Sequence, residues 1–198
     1  MIKKYLEFIK ENQSYLCKKY KIRNYTINED GSIDVDDDVD LDGFNLTEIP
    51  IQFGKVTGSF NCSNNKLTSL EGCPTEVGDN FMCYNNKLNS LKGGPKIIHN
   101  SYSCSNNKIW TFKGVEYIKY DFYCAGNPIM SVYNLFGGIF DQVKAIETIN
   151  LKYPDLFQTD GINYGISCDV LEEIADELKI TLPDNYQNLL VTAGYILS

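Results

Sequence analysis

Phe60-Asn-Cys62-Ser-Asn-Asn65-Lys-Leu67-Thr-Ser-Leu70-Glu-Gly-Cys-Pro74 returns 21 residues later as Phe81-Met-Cys83-Tyr-Asn-Asn86-Lys-Leu88-Asn-Ser-Leu91-Lys-Gly-Gly-Pro95. It returns again as Tyr102-Ser-Cys104-Ser-Asn-Asn107-Lys-Ile109-Trp-Thr-Phe112, and in truncated form as Phe122-Tyr-Cys124-Ala-Gly-Asn127-Pro-Ile129. A degenerate copy, Val39-Asp-Leu41-Asp-Gly-Phe44-Asn-Leu46-Thr-Glu-Ile49, precedes them, so the steps are 21, 21, 21 and 20 residues. A fixed period of this length means one structural unit per repeat, stacked because no unit buries its apolar side alone. Each unit is expected to give one short strand, for example Phe60–Cys62, paired in parallel with the next at roughly 4.8 Å. Phe60, Cys62, Leu67 and Leu70 then point inward. Asn65, Asn86, Asn107 and Asn127 fall at the bend after the strand, where an amide can serve backbone groups that would otherwise be buried unpaired.

Reduced to a pattern, the unit is apolar-x-Cys-x-x-Asn-x-Leu-x-x-Leu, followed by Pro and an aliphatic residue. It resembles a leucine-rich repeat with Cys at a strand position. The Pro and the short period are similar to the bacterial-effector class of these repeats. The whole arrangement, with the acidic lead-in Ile33-Asp-Val35-Asp-Asp-Asp-Val39, resembles the leucine-rich repeat proteins of large tailed bacteriophages over roughly residues 25–136. That resemblance implies a phage-encoded protein working in the cytoplasm of a bacterial host, and it carries no enzymatic activity with it.

The expected fold is therefore an α/β repeat: a short leucine-rich-repeat solenoid with parallel strands, an N-terminal helix plus hairpin cap, and a mostly helical C-terminal segment. Its divisions are residues 1–38 for the N-terminal cap, 39–132 for about five repeats and 133–198 for the C-terminal cap or small domain. Ile2, Tyr5, Leu6, Ile9, Tyr15 and Leu16 mark an amphipathic helix over 2–19. A loop at Asp36-Asp37-Asp38 would set Val35 opposite Val39 in a hairpin closing the first repeat. At the other end, Asp141 can cap a helix with Val143, Ile146 and Ile149 inward. Asp169 with Glu172 reads as a capping box for a second helix presenting Val170, Ile174 and Leu178, and a third helix follows Pro183.

The chain of 198 residues carries a net charge of −8, unevenly spread. Residues 1–23 are net +5, 24–58 net −8, 59–126 net +2 and 127–198 net −7. So acidic a chain does not wrap nucleic acid, which needs clustered Lys and Arg, and no direct nucleic-acid partner is expected. No apolar run reaches the length of a membrane span, and the start lacks a signal-peptide apolar core, so a cytoplasmic location is expected.

Each chemically suggestive pattern has a plain alternative. Cys62, Cys83, Cys104 and Cys124 form a column, but zinc ligands come as close pairs converging on a tetrahedron; buried reduced thiols serving as small hydrophobes fit better, and neither metal nor other cofactor is expected. The seven cysteines of a chain without a secretion signal point to reduced thiols. Asp34, Asp36, Asp38, Asp40 and Asp42 alternate, with Asp34 facing Asp40 in the expected hairpin. A solvated edge, a contact for a basic partner and a cation site all remain open. Lys66, Lys87 and Lys108 form either a solvated edge or an anion-contacting ridge.

The solvent-facing strand positions are the candidate partner-binding surface: Asn61 and Ser63, Met82 and Tyr84, Ser103 and Ser105, Tyr123 and Ala125, with Asp40 and Asp42 extending the same columns. Exposed Tyr and Met are enriched at protein interfaces. A lone histidine, His99, has no evident partner and excludes any mechanism needing two. Cys168-Asp169-Val170 does not match the Cys-x-Asp motif of the ligases fused to effector-class repeats. No phosphate-cradling loop or nucleophile elbow is present. The leading expectation is a non-catalytic module that binds or inhibits a host protein, a defence protein among the options. The alternatives are an acidic decoy filling a nucleic-acid-binding cleft and a small enzyme using Cys168.

Overall fold

The computed structural model describes residues 2–111, 113–135, 152–153, 155–159 and 164–198. Within them the repeat block is a parallel-strand β-solenoid. Each coil contributes two short strands joined by a tight corner. The first series is β2 (Ile33–Val35), β4 (Phe53–Val56), β6 (Glu76–Val77), β8 (Ile97–Ile98) and β10 (Tyr117–Ile118). The second series is β3 (Val39–Asp40), β5 (Phe60–Asn61), β7 (Phe81–Met82), β9 (Tyr102–Ser103) and β11 (Phe122–Tyr123). With the antiparallel β1 (Tyr25–Ile27), the first series forms a six-stranded sheet, and the second forms a five-stranded one. The expectation of one strand per repeat is corrected: the return segment carries a strand of its own. Val56, Val77, Ile98 and Ile118 are buried while Lys55, Ile97 and Tyr117 beside them are exposed, the period-two alternation of a half-buried strand.

Between the sheets runs an aromatic ladder. Ring centroids step 5.0 Å from Phe53 to Phe60, 5.7 Å to Phe81, 4.9 Å to Tyr102 and 5.6 Å to Phe122. Leu67, Leu70, Leu88, Leu91 and Ile109 fill the third side of the coil and are fully buried. Cys62, Cys83, Cys104 and Cys124 are buried free thiols. Burial pushes the first three well above the ordinary thiol range and Cys124 to about 12.

The asparagine column closes each bend as the sequence implies. Asn65 Nδ2 donates to the carbonyls of Leu41 and Cys62, and its Oδ1 accepts from Leu46 N. Asn86, Asn107 and Asn127 repeat the arrangement one coil further on each time. Before each of the first three stands an asparagine with left-handed φ: Asn64 at 54°, Asn85 at 53° and Asn106 at 55°, the region asparagine tolerates best after glycine. Their amides form an outer ladder in which Asn106 donates to Asn85, Asn85 to Asn64, and Asn64 to Asp42.

α1 (Ile2–Lys19) spans the residues the apolar spacing predicts, with Cys17, and Tyr20 just past its end, buried; Tyr15, expected on its apolar face, is instead exposed. The hairpin, however, is not at the aspartates. β1 and β2 form it, turning at Asn28–Ser32, where Gly31 takes φ 86° and the Asp30 carboxylate accepts from Ser32 N and Oγ. Val35 and Val39 belong to different sheets, so Asp34 does not face Asp40. The chain turns a solenoid corner at Asp36–Asp38 because each strand finds its partner in the next coil.

Among the described residues of the C-terminal segment, helices are joined by a small sheet that the sequence reading did not include. The segment holds α2 (Ile129–Leu135), α3 (Cys168–Leu178), α4 (Tyr186–Thr192) and a three-stranded sheet of β12 (Phe157–Thr159), β13 (Tyr164–Ile166) and β14 (Ile196–Leu197). α3 lies where the capping-box reading puts it, but its cap is Ser167, whose side chain accepts from Val170 N; Asp169 sits in the first turn. The helix expected after Asp141 lies outside the described residues. This segment closes the stack by gripping Trp110. Tyr164 stacks on the indole at 4.8 Å, Tyr195 meets it edge-on at 5.2 Å, and Tyr195 OH donates to Trp110 O. No described helix is long and apolar enough to cross a membrane.

Candidate functional site

Strand register decides which of the candidate residues share a surface. Asp40 pairs with Asn61, Asn61 with Met82, Met82 with Ser103 and Ser103 with Tyr123, forming one row on the outer face of the five-stranded sheet. Along that row Asp40 and Tyr123 are exposed while Asn61, Met82 and Ser103 are half-buried. Tyr123, at 54% exposure, donates its hydroxyl to Asp121 at 3.1 Å. That hydrogen bond to a carboxylate raises its pKa.

The second row lies past the strand ends. Tyr84 and Ser105 are half-buried and Ala125 is exposed, and their carbonyls accept from Asn64, Asn85 and Asn106 N–H. Ser63 is a correction: it is fully buried, with its hydroxyl unpartnered. The strand ends at Asn61, so the in-out alternation that placed Ser63 outside no longer applies.

The aspartates are occupied. Asp34 accepts from Lys55 N, Asp36 from Thr57 Oγ1, Asp38 from Ser59 N, Asp40 from Asn61 Nδ2 and Asp42 from Asn64 Nδ2, each donor lying 21 or 22 residues on. In addition, Asp37 accepts from Asp38 N, and Asp40 from Asp42 N. The run thus uses carboxylates to satisfy donors of the second coil and of the edge strand β3, which has no strand neighbour on its outer side.

His99 has a partner that sequence reasoning missed: Nε2 lies 2.9 Å from Glu76 Oε1, and Lys55 Nζ lies 2.7 Å from Glu76 Oε2. Hydrogen bonds from Lys55 and His99 hold the Glu76 carboxyl below the usual range. The register of adjacent coils, which carries this pairing, follows from the repeat once the return strand is recognised. Cys168 is half-buried at the start of α3; burial raises its thiol pKa, with Glu172 and Asp169 adding to the rise, the reverse of an activated nucleophile. No group of three or more His, Cys, Asp or Glu is placed to hold a metal among the described residues.

These features define a capped β-solenoid whose five-stranded sheet carries the candidate row, with Tyr123 exposed at its end. Comparison with known protein families, with characterised proteins and with solved structures gives no match.

Proposed function

We propose that this is a non-catalytic binding module, of the leucine-rich-repeat kind carried by large tailed bacteriophages, which binds a bacterial host protein through the outer face of its five-stranded sheet. The carrying observation is the row Asp40–Asn61–Met82–Ser103–Tyr123. Parallel pairing fixes these residues on adjacent strands, so they are ordered before binding and lose little conformational freedom on contact. Tyr84 and Tyr123 supply the large amphipathic rings that dominate protein interfaces.

Affinity capture from bacterial lysate, followed by titration of the captured protein, tests the reading. Tyr84→Ala with Tyr123→Ala should weaken binding by about 2 kcal/mol or more, roughly thirtyfold in Kd. An unchanged Kd would remove this face from consideration.

A further inference from the structure

We infer that the third side of the solenoid, between the asparagine bends and the return strands, is a docking strip for a short acidic peptide segment of a partner protein. Two lysine columns border it. Lys66, Lys87 and Lys108 stand one per coil just before the first buried Leu or Ile, their register fixed by Lys66 N to Leu46 O, Lys87 N to Leu67 O and Lys108 N to Leu88 O. Just after the second Leu position of each unit in the sequence run Glu71, Lys92 and Lys113. All five lysines are exposed, and none has a carboxylate partner among the described residues.

Glu48 and Glu71 are exposed on the strip at its first-coil end and are outnumbered by the five lysines, while the other acids nearby are engaged elsewhere: Glu76 with Lys55 and His99, Glu116 with Lys96, and Asp79 with Ser59 and Asn100. A chain of net charge −8 therefore leaves one side positive. Between the columns lie Ser69 and Thr111, whose oxygens accept from Glu71 N and Lys113 N, which leaves both hydroxyl hydrogens free to donate.

The geometry favours a peptide over a nucleic acid. An extended peptide sends successive side chains to opposite sides, so consecutive acidic residues would reach the two columns alternately. A nucleic-acid strand needs aromatic platforms for its bases, and among the described residues of the strip the large ring, Trp110, is already stacked on Tyr164. The flanking segments, net −8 and −7, also repel any polyanion longer than the strip.

The test uses fluorescence anisotropy of the full chain with labelled octaglutamate and with an oligothymidylate of equal charge, at low and moderate salt. Octaglutamate should bind and should weaken with salt. The variant Lys66→Ser/Lys87→Ser/Lys108→Ser should bind about tenfold more weakly. The equally charged control Lys18→Ser/Lys19→Ser/Lys21→Ser should stay within about twofold, and so should Tyr84→Ala/Tyr123→Ala, which separates this strip from the sheet face. Absence of octaglutamate binding, equal loss in the Lys18/Lys19/Lys21 control, or tighter binding of the oligonucleotide would overturn the proposal. So would self-association at low salt that the Lys66/Lys87/Lys108 variant abolishes, since the occupant would then be a second copy.

Discussion

Tyr102 puts its hydroxyl into the space left by Gly94: a Cβ at Gly94 would stand 3.4 Å from Tyr102 Oη and 2.8 Å from Leu70 Cδ1. One coil earlier the same two positions are Phe81 and Cys73. The larger ring and the missing side chain compensate within the aromatic ladder.

The hydroxyl is poorly served where it lies. Tyr102 is fully buried, its oxygen has no hydrogen-bond partner, and the Cys83 thiol beside it is a weak acceptor at best. Tyr102→Phe should therefore stabilise the fold by about 1 kcal/mol. Gly94→Ala should cost about 1–3 kcal/mol through overpacking. Together they should be close to additive, because the tight contacts of the new methyl are Leu70 Cδ1 at 2.8 Å and Leu91 O at 3.2 Å, whereas Tyr102 Oη at 3.4 Å is an ordinary contact. Urea unfolding of the four proteins closes this cycle; a coupling well above about 0.5 kcal/mol would show that the hydroxyl and the methyl do compete for space.

Asn85 and Asn86 are neighbours with opposite sensitivities. Asn86→Ala strands Leu67 N and removes one of the two asparagine donors to each of Cys62 O and Cys83 O, which keep Asn65 and Asn107, and should destabilise by about 2 kcal/mol. Asn85 is exposed and serves mainly to adopt φ 53°, so Asn85→Gly should lie within about 1 kcal/mol of the parent. Asn85→Val should be clearly worse than Asn85→Gly, because a β-branched residue resists that conformation. Thermal melts that rank Asn85→Gly below Asn86→Ala would refute this division of roles.

Acid stability should depend on Asp79. Its carboxylate accepts from Asn100 Nδ2 at 2.6 Å and from Ser59 Oγ at 2.8 Å, and these bonds lower its pKa. A carboxyl depressed in the folded state stabilises it above the unfolded pKa, about 3.9 for aspartate, and loses that contribution as pH falls through the folded value. Asp79→Asn should thus reduce stability at neutral pH and flatten its fall below about pH 4. An unaltered pH profile from chemical denaturation at several pH values would show that the corner does not contribute.

The repeat made the stacked fold, the inward cysteines and the asparagine bends legible, since each depends on contacts between identical positions one period apart. Features that differ from that logic were harder to read. Glu76–Val77 and Ile97–Ile98 are too short to show two-residue periodicity alone, and gain strand character only from neighbours above and below. The hairpin was marked by Asp30-Gly31, a turn signal overshadowed by the aspartate run that follows it. Ser63 was placed outward by extending strand alternation into a bend. Of the proposed surface, Tyr123 was legible as exposed because it follows a buried Phe on a strand; the occupation of the aspartates was not, because their donors lie a full coil away.

Length changes in this molecule have a defined location. Gly72, Gly93 and Gly114 all turn with positive φ, and the coil that follows Gly114 reaches its strand one residue sooner, which gives the 20-residue step. Asn127 still bonds Cys104 O and Ile109 N as its predecessors do. The slack was taken up in the turn, upstream of the strands and bend. The solenoid therefore behaves as a ruler graduated in whole coils with an adjustable joint at each glycine. Insertion of a few residues there changes the loop, whereas the same insertion between a strand and its asparagine would put every later coil out of register.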